Sequence, residues 1–131
     1  MYRSTTQRGL LIVLLILLAS PILLADEAAS TVRVVIDYSD GVQKHFTAIP
    51  WREGMTVRDA LLAAQEHRRG VKFQERGSGA TAFLTQLDDL KNEGSGRNWI
   101  YRVNGQIADR SFAVYRLEAG DTVLWKFEKS R

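Results

Sequence analysis

Apolar and polar residues alternate with a period of two over residues 31–38. Val32, Val34, Ile36 and Tyr38 share one side, and Arg33 and Asp37 take the other. That is the period of a strand with one face on a core. Ser39-Asp40-Gly41 supplies a turn in which Gly41 can adopt positive φ. The alternation resumes over residues 42–49, with Val42, Phe46 and Ala48 opposed to Gln43, His45 and Thr47. A hairpin is predicted, ended by Pro50.

The period then lengthens. Over residues 55–69, Val57, Ala60, Leu61 and Ala64 mark one stripe of a helix, with Arg58, Asp59, Gln65, Glu66 and Arg68 toward water. Thr56 with Asp59 three residues on reads as a capping box. Arg68 and Arg69 suit the negative end of the helix, and Gly70 ends it. Residues 71–76 read as a short strand and Gly77-Ser78-Gly79 as a loop. Residues 80–91 fit two patterns. Phe83, Leu84, Leu87 and Leu90 would line a helix, whereas Thr81, Phe83 and Thr85 alternate with Ala82, Leu84 and Gln86 as a strand would; periodicity alone favours the helix. Residues 98–103 form a strand, Asn104-Gly105 is a hairpin signal, and residues 111–115 are a weak element. Residues 118–121 are a turn and residues 122–128 the closing strand. One amphipathic helix across a mixed sheet is an α+β two-layer domain, and a hairpin followed by a helix and returning strands is the order of a β-grasp.

The first 25 residues read differently. Arg3 and Arg8 precede an unbroken apolar block, and Ala25 offers a small residue for cleavage before Asp26-Glu27. This is the layout of a secretory signal. A retained anchor is the rival, because residues 9–25 carry no charge over 17 positions, at the short limit for a membrane span. Either way the remainder, a linker over 26–30 and a domain over 31–131, is expected to be exported: periplasmic, secreted, or held on the outer side of an inner membrane. Without Arg3 and Arg8, the 18 Lys and Arg fall to 16 against 15 Asp and Glu. So even a balance argues against a nucleic-acid surface. Cysteine is absent, which excludes disulfides, thiolate nucleophiles and cysteine metal sites, and suits a bacterial envelope protein.

The later residues resemble the transcobalamin-like C-terminal domain family of small bacterial exported modules, also described as a domain of unknown function. Thr56-Val57-Arg58-Asp59-Ala60-Leu61 matches its helix start. Gly77 and Gly79 precede Phe83-Leu84-Thr85-Gln86-Leu87-Asp88-Asp89-Leu90, similar to an internal strand. Asn98-Trp99-Ile100-Tyr101-Arg102-Val103-Asn104-Gly105 resembles its Trp-x-Tyr-x-Val-Asn-Gly run. Tyr115-Arg116-Leu117 and Gly120-Asp121-Thr122-Val123-Leu124-Trp125 complete the ordered set. The resemblance implies a β-grasp and a strand over residues 82–87 in place of the helix. It brings in cobalamin by analogy alone. The vertebrate carriers clamp their corrinoid between a helical domain and this small one, and no helical domain accompanies it in this sequence, so no cofactor is expected.

Candidate chemistry is sparse. His45 and His67 stand apart from any nucleophile motif, and no catalytic residue or metal ligand set is expected. Gly77-Ser78-Gly79-Ala80-Thr81-Ala82 matches a dinucleotide fingerprint without its βαβ context. Trp99, Tyr101 and Trp125 alternate with their neighbours, as either a core face or an aromatic platform would. Trp51 lies in a loop beside Arg52 and Glu53, where an aromatic side chain often meets a partner. Trp51, Arg52, Trp99, Tyr101 and Asn104 are thus the candidate ligand-binding residues, on a surface made by residues 48–54, 77–80 and 104–110. The expected function is a non-enzymatic, exported module for a small molecule, glycan or envelope protein. The alternative is an interaction module that works through an exposed sheet edge.

Overall fold

A computed structural model describes residues 30–130; the leader and its cleavage or anchoring lie outside the described residues. The hairpin forms as β1 (Thr31–Asp37) and β2 (Gln43–Pro50), followed by α1 (Val57–Gln65). Next come β3 (Phe73–Arg76), a single 3-10 turn (Gly79–Thr81), β4 (Phe83–Leu87), β5 (Leu90–Lys91), β6 (Arg97–Val103), β7 (Gln106–Ile107) and β8 (Thr122–Lys129). The strands make a five-stranded sheet in the order β2-β1-β8-β6-β7 and a three-stranded sheet in the order β3-β4-β5. All pairings are antiparallel except β1 with β8. With one α-helix among the described residues lying against these sheets, the fold is α+β.

Alternation builds the core. The register stacks Val34, Val123 and Val103 in one row, and Ile36, Trp125 and Tyr101 in the next. All six are buried. The helix covers this face with Val57, Ala60, Leu61 and Ala64, none of which is exposed. Arg58, read from the sequence as solvent-facing, instead pairs with Glu75 at 2.7 Å and ties α1 to β3.

Three sequence expectations are corrected in detail. In β2 the strict alternation fails: Phe46 and Ile49 are buried while Ala48 and Val42 are exposed. The cause is a bulge. Ile49 faces Val32 and Phe46 faces Val34, so Thr47 and Ala48 together oppose Arg33 and the side chains change sides. The helix stops at Gln65, not at residue 69. Arg68, read from the sequence as solvent-facing, would fall one turn beyond Ala64 on the buried stripe if the helix continued; the chain instead leaves the helix, Arg68 stays exposed, and Val71 is buried. Residues 80–91 are a short 3-10 turn and two strands, not the helix that periodicity alone favours, and β4 agrees with the strand that the resemblance implies over 82–87. In this arrangement Leu84 and Leu87 are buried while Phe83 is 52% exposed.

Elsewhere the local signals hold. Thr56 accepts the Asp59 N–H at 3.2 Å while Asp59 accepts the Thr56 N–H at 2.9 Å, the reciprocal pair of a capping box. Asn104 and Gly105 both have positive φ, at 50° and 81°, as the two-residue turn joining β6 to β7 requires.

Candidate ligand-binding cleft

The two sheets are not continuous. β4 and β6 run beside each other without pairing, and between them lies a cleft of about 420 Å³. Its walls are Ala82, Phe83 and Leu84 on one side and Trp99, Ile100 and Tyr101 on the other. Ala80, Thr81, Asn92, Ala108, Arg110, Ser111, Phe112 and Trp125 complete it. That volume is within the usual range of ~300–1,000 Å³ for small-ligand pockets.

Each wall is fixed from the sequence upward. Trp99 and Tyr101 alternate on β6, so both side chains turn inward, at 6% and 9% exposure. The Trp99 indole donates to the Leu90 carbonyl at 2.9 Å, and the Tyr101 hydroxyl donates to the Arg110 carbonyl at 2.5 Å. Burial, the largest influence, pushes the Tyr101 hydroxyl well above the usual phenol range, so it stays protonated and donating. Trp125 stands tilted 5.0 Å from the Tyr101 ring and edge-on to Phe112 at 5.5 Å. The floor is therefore a fixed aromatic cluster.

The polar atoms are few. Asn92 bridges the two walls: its Nδ2 donates to the Leu84 carbonyl at 2.7 Å and its Oδ1 accepts the Trp99 N–H at 2.9 Å. The Ser111 hydroxyl donates to the Ala82 carbonyl at 2.6 Å. Arg110 is the one charged side chain among the walls. It is about half exposed, pairs with the neighbouring Asp109 at 2.9 Å and lies 5.4 Å from the Tyr115 ring. Three buried side-chain polar atoms among the described residues have no hydrogen-bond partner: Gln86 Oε1, Arg102 Nη1 and Trp125 Nε1. Of these residues only Trp125, 2% exposed, borders the cleft. A buried donor left unpaired costs roughly 1–3 kcal/mol, so its presence here asks for a reason.

The candidate residues named from sequence divide between two places. Trp99 and Tyr101 are brought together in the cleft. Trp51, Arg52 and Asn104 are not among its walls. Trp51 is half-buried against the core, and its indole donates to the Leu117 carbonyl at 2.8 Å. Arg52 is exposed and reaches Asp59 at 3.8 Å. Asn104 donates to the Asp121 carboxylate at 2.8 Å and accepts the Thr122 N–H at 2.9 Å. Of the proposed surface, residue 80 and residues 108 and 110 meet at the cleft. Asn92 and Ser111 lie outside that expected surface and carry no motif, and only the tertiary arrangement brings them in.

Other polar groups are committed to structure. The N–H groups of Val57 and Arg58 at the start of α1 donate to the Tyr115 and Phe112 carbonyls at 3.0 and 2.9 Å, so that helix end is closed by protein. A second hollow, lined by Tyr38, Lys44, Lys72 and Asp88 among others, is crossed by the bonds from Tyr38 and Lys44 to Asp88 that join the two sheets. Among the described residues no three His, Asp or Glu side chains gather as a metal site would need. No helix among them is long and apolar enough to cross a membrane.

Comparison with known proteins adds a family and a fold. No match was found among curated proteins. A crystal structure from Ruminococcus gnavus, described as that of a candidate metal-binding protein, superposes with a TM-score of 0.60. It covers 76% of this chain and 97% of that one at 12% identity, a likeness of fold alone. The family described as Domain of unknown function (DUF4430) matches residues 54–129, from the turn before α1 to the end of β8. That stretch is more than half of the sequence and holds every wall of the cleft, so the chain belongs to the DUF4430 family.

Proposed function

We propose that this chain is an exported, non-enzymatic binding module of the transcobalamin-like kind, built as a β-grasp, whose ligand sits in the cleft between β4 and β6. The hairpin, the helix and the late strands support the β-grasp reading, with β8 parallel beside β1 inside the sheet. The leader supports export. A binding role rests on one observation above the others: a cleft of about 420 Å³ with a fixed aromatic floor and a single charged wall residue, Arg110. Apolar walls with a few placed polar groups are the usual make-up of a small-ligand site. His45 and His67 are outside the cleft walls, and those walls carry no carboxylate, so no acid–base pair is available there.

The name of the Ruminococcus gnavus protein raises metal binding. The described residues offer no matching ligand set, and metal is not part of this proposal. Corrinoid binding stays an analogy, since about 420 Å³ is too small to enclose a macrocycle of that size and leaves only edge contact.

A cleft-filling substitution provides the test. Immobilised wild-type protein and Ala108→Trp would be exposed to envelope extract, with cyanocobalamin and chitotriose titrated in parallel by tryptophan fluorescence. Ala108 is half-buried, so the variant should fold, which melting verifies. Retention by wild type and loss in Ala108→Trp is expected. Retention unchanged in Ala108→Trp and lost in Trp51→Ala would move the site to the loop that carries Trp51.

A further inference from the structure

We infer that the cleft takes the carboxyl-terminal end of an extended peptide from a partner protein, inserted as a short strand between β4 and β6. This rests on the cleft being the ligand site and goes further by naming the ligand.

The first support is the way Asn92 spans the walls. One amide group donates to the Leu84 carbonyl at 2.7 Å and accepts from the Trp99 N–H at 2.9 Å. A peptide group in an inserted strand makes the same two bonds, with its N–H to one neighbour and its C=O to the other. The two strand edges are therefore already held at the separation that one amide bridges. Asn92 fills one rung, and a bound peptide would continue the ladder from it toward Arg110.

The second support is the direction of the backbone. Trp99 turns its N–H toward Asn92, and Tyr101 accepts the Ala108 N–H at 3.3 Å, so both residues present their peptide groups on the cleft side of β6. Within a strand the N–H and C=O of one residue leave on the same edge. The Trp99 carbonyl thus points across the cleft, where a peptide N–H can meet it. On the opposite wall, the Ala82 and Leu84 carbonyls also face inward but already accept from Ser111 and Asn92, so an inserted peptide would meet the main-chain groups between those two bonds. Peptide recognition by strand addition draws its affinity from such main-chain bonds.

Charge selects the end of the peptide. Arg110 is the only charged wall residue, and its partner Asp109 is 76% exposed and free to exchange with water. A terminal carboxylate can replace it in a charge-assisted pair. Trp125 lines the same slot, its ring packed against Tyr101 and Phe112 as an apolar floor. Phe83, 52% exposed on the rim, offers an apolar contact for a side chain of the ligand.

A displayed library of random heptapeptides with free carboxyl termini tests this. Enrichment on wild type is expected, with one motif at the last positions. Amidation of the terminal carboxyl should weaken binding about tenfold, the loss of a partly exposed charged contact. Arg110→Ala should weaken the free-acid peptide by the same factor and leave the amidated peptide unaffected. Arg110 is exposed, so this variant should keep its melting temperature. Two results would overturn the inference: no enrichment above an empty support, or enriched peptides for which amidation and Arg110→Ala act additively or not at all. If no peptide enriches but extract or small-ligand retention is still lost in Ala108→Trp, the cleft stands as a binding site and the peptide assignment falls alone.

Discussion

The Tyr38 hydroxyl donates to the Asp88 carboxylate, joining the end of β1 to the turn between β4 and β5. Asp88 also accepts from Lys44 Nζ at 3.1 Å and from the Lys72 N–H at 3.0 Å. Its backbone is left-handed at φ 47°, a conformation that Asp and Asn tolerate better than most residues. Burial favours the neutral acid, but the bonds from Tyr38, Lys72 and Lys44 outweigh it and hold the carboxyl below its usual range. Burial and the same carboxylate push the Tyr38 hydroxyl well above the phenol range, so it remains a donor.

Asp88→Asn keeps the backbone conformation and one acceptor but loses the charge. With Lys44 and Asp88 about 35% and 24% exposed, the cost should be about 1 kcal/mol in chemical unfolding at neutral pH. A depressed folded pKa contributes stability above the unfolded value and loses it as pH falls through the folded value. The gap between wild type and Asp88→Asn should therefore persist above about pH 4 and close below it. A gap that stays constant down to strong acid would mean that the carboxylate does not hold the sheets together.

Trp125 is the largest fully buried side chain and touches both Tyr101 and Phe112. Trp125→Ala should cost ~3–5 kcal/mol, a large share of the ~5–15 kcal/mol typical of such a domain. Trp125→Phe should cost much less, because it retains most of the apolar volume and removes the unpaired N–H. Paired denaturation curves would distinguish the two.

The capping box predicts a separate, smaller effect. Thr56→Ala removes the acceptor for the Asp59 N–H and should cost ~1 kcal/mol. Thr56→Ser should restore most of it. Equal losses in both variants would place the role of Thr56 in its methyl group instead.

Trp51 tests how a loop aromatic is used. It is half-buried and bonded to Leu117, so Trp51→Ala should lower stability by about 2 kcal/mol, less than a core tryptophan. Binding in the cleft should survive it. An unchanged melting temperature together with lost binding would return Trp51 to the ligand surface.

Much of the fold can be read along the chain because its signals are local. The alternation of Val32, Val34 and Ile36, the Thr56–Asp59 box and the Asn104-Gly105 turn each depend on neighbours within a few residues. Where the pattern misleads, a distant partner decides. The bulge at Thr47 and Ala48 answers to the register against β1, and the early end of α1 answers to where Arg68 would have pointed. Residues 80–91 become strands because β4 has β3 beside it. The cleft is legible in sequence through Trp99 and Tyr101 and through the ends of the expected loops at residues 80, 108 and 110. Asn92 and Ser111 are ordinary loop residues in sequence, and their use depends on two strand edges meeting without pairing.

Nitrogen–proton correlation spectroscopy can follow the tryptophan indole N–H signals as a retained ligand is added, and so reports on the cleft itself. The sequence has three tryptophans, and those at positions 51 and 99 already donate to carbonyls. The Trp125 indole signal is expected to shift furthest, together with the backbone amides of Leu84 and Trp99, while Trp51, Arg52 and Asn104 stay still. Movement confined to those last three, with the Trp125 signal unchanged, would contradict a ligand site between β4 and β6.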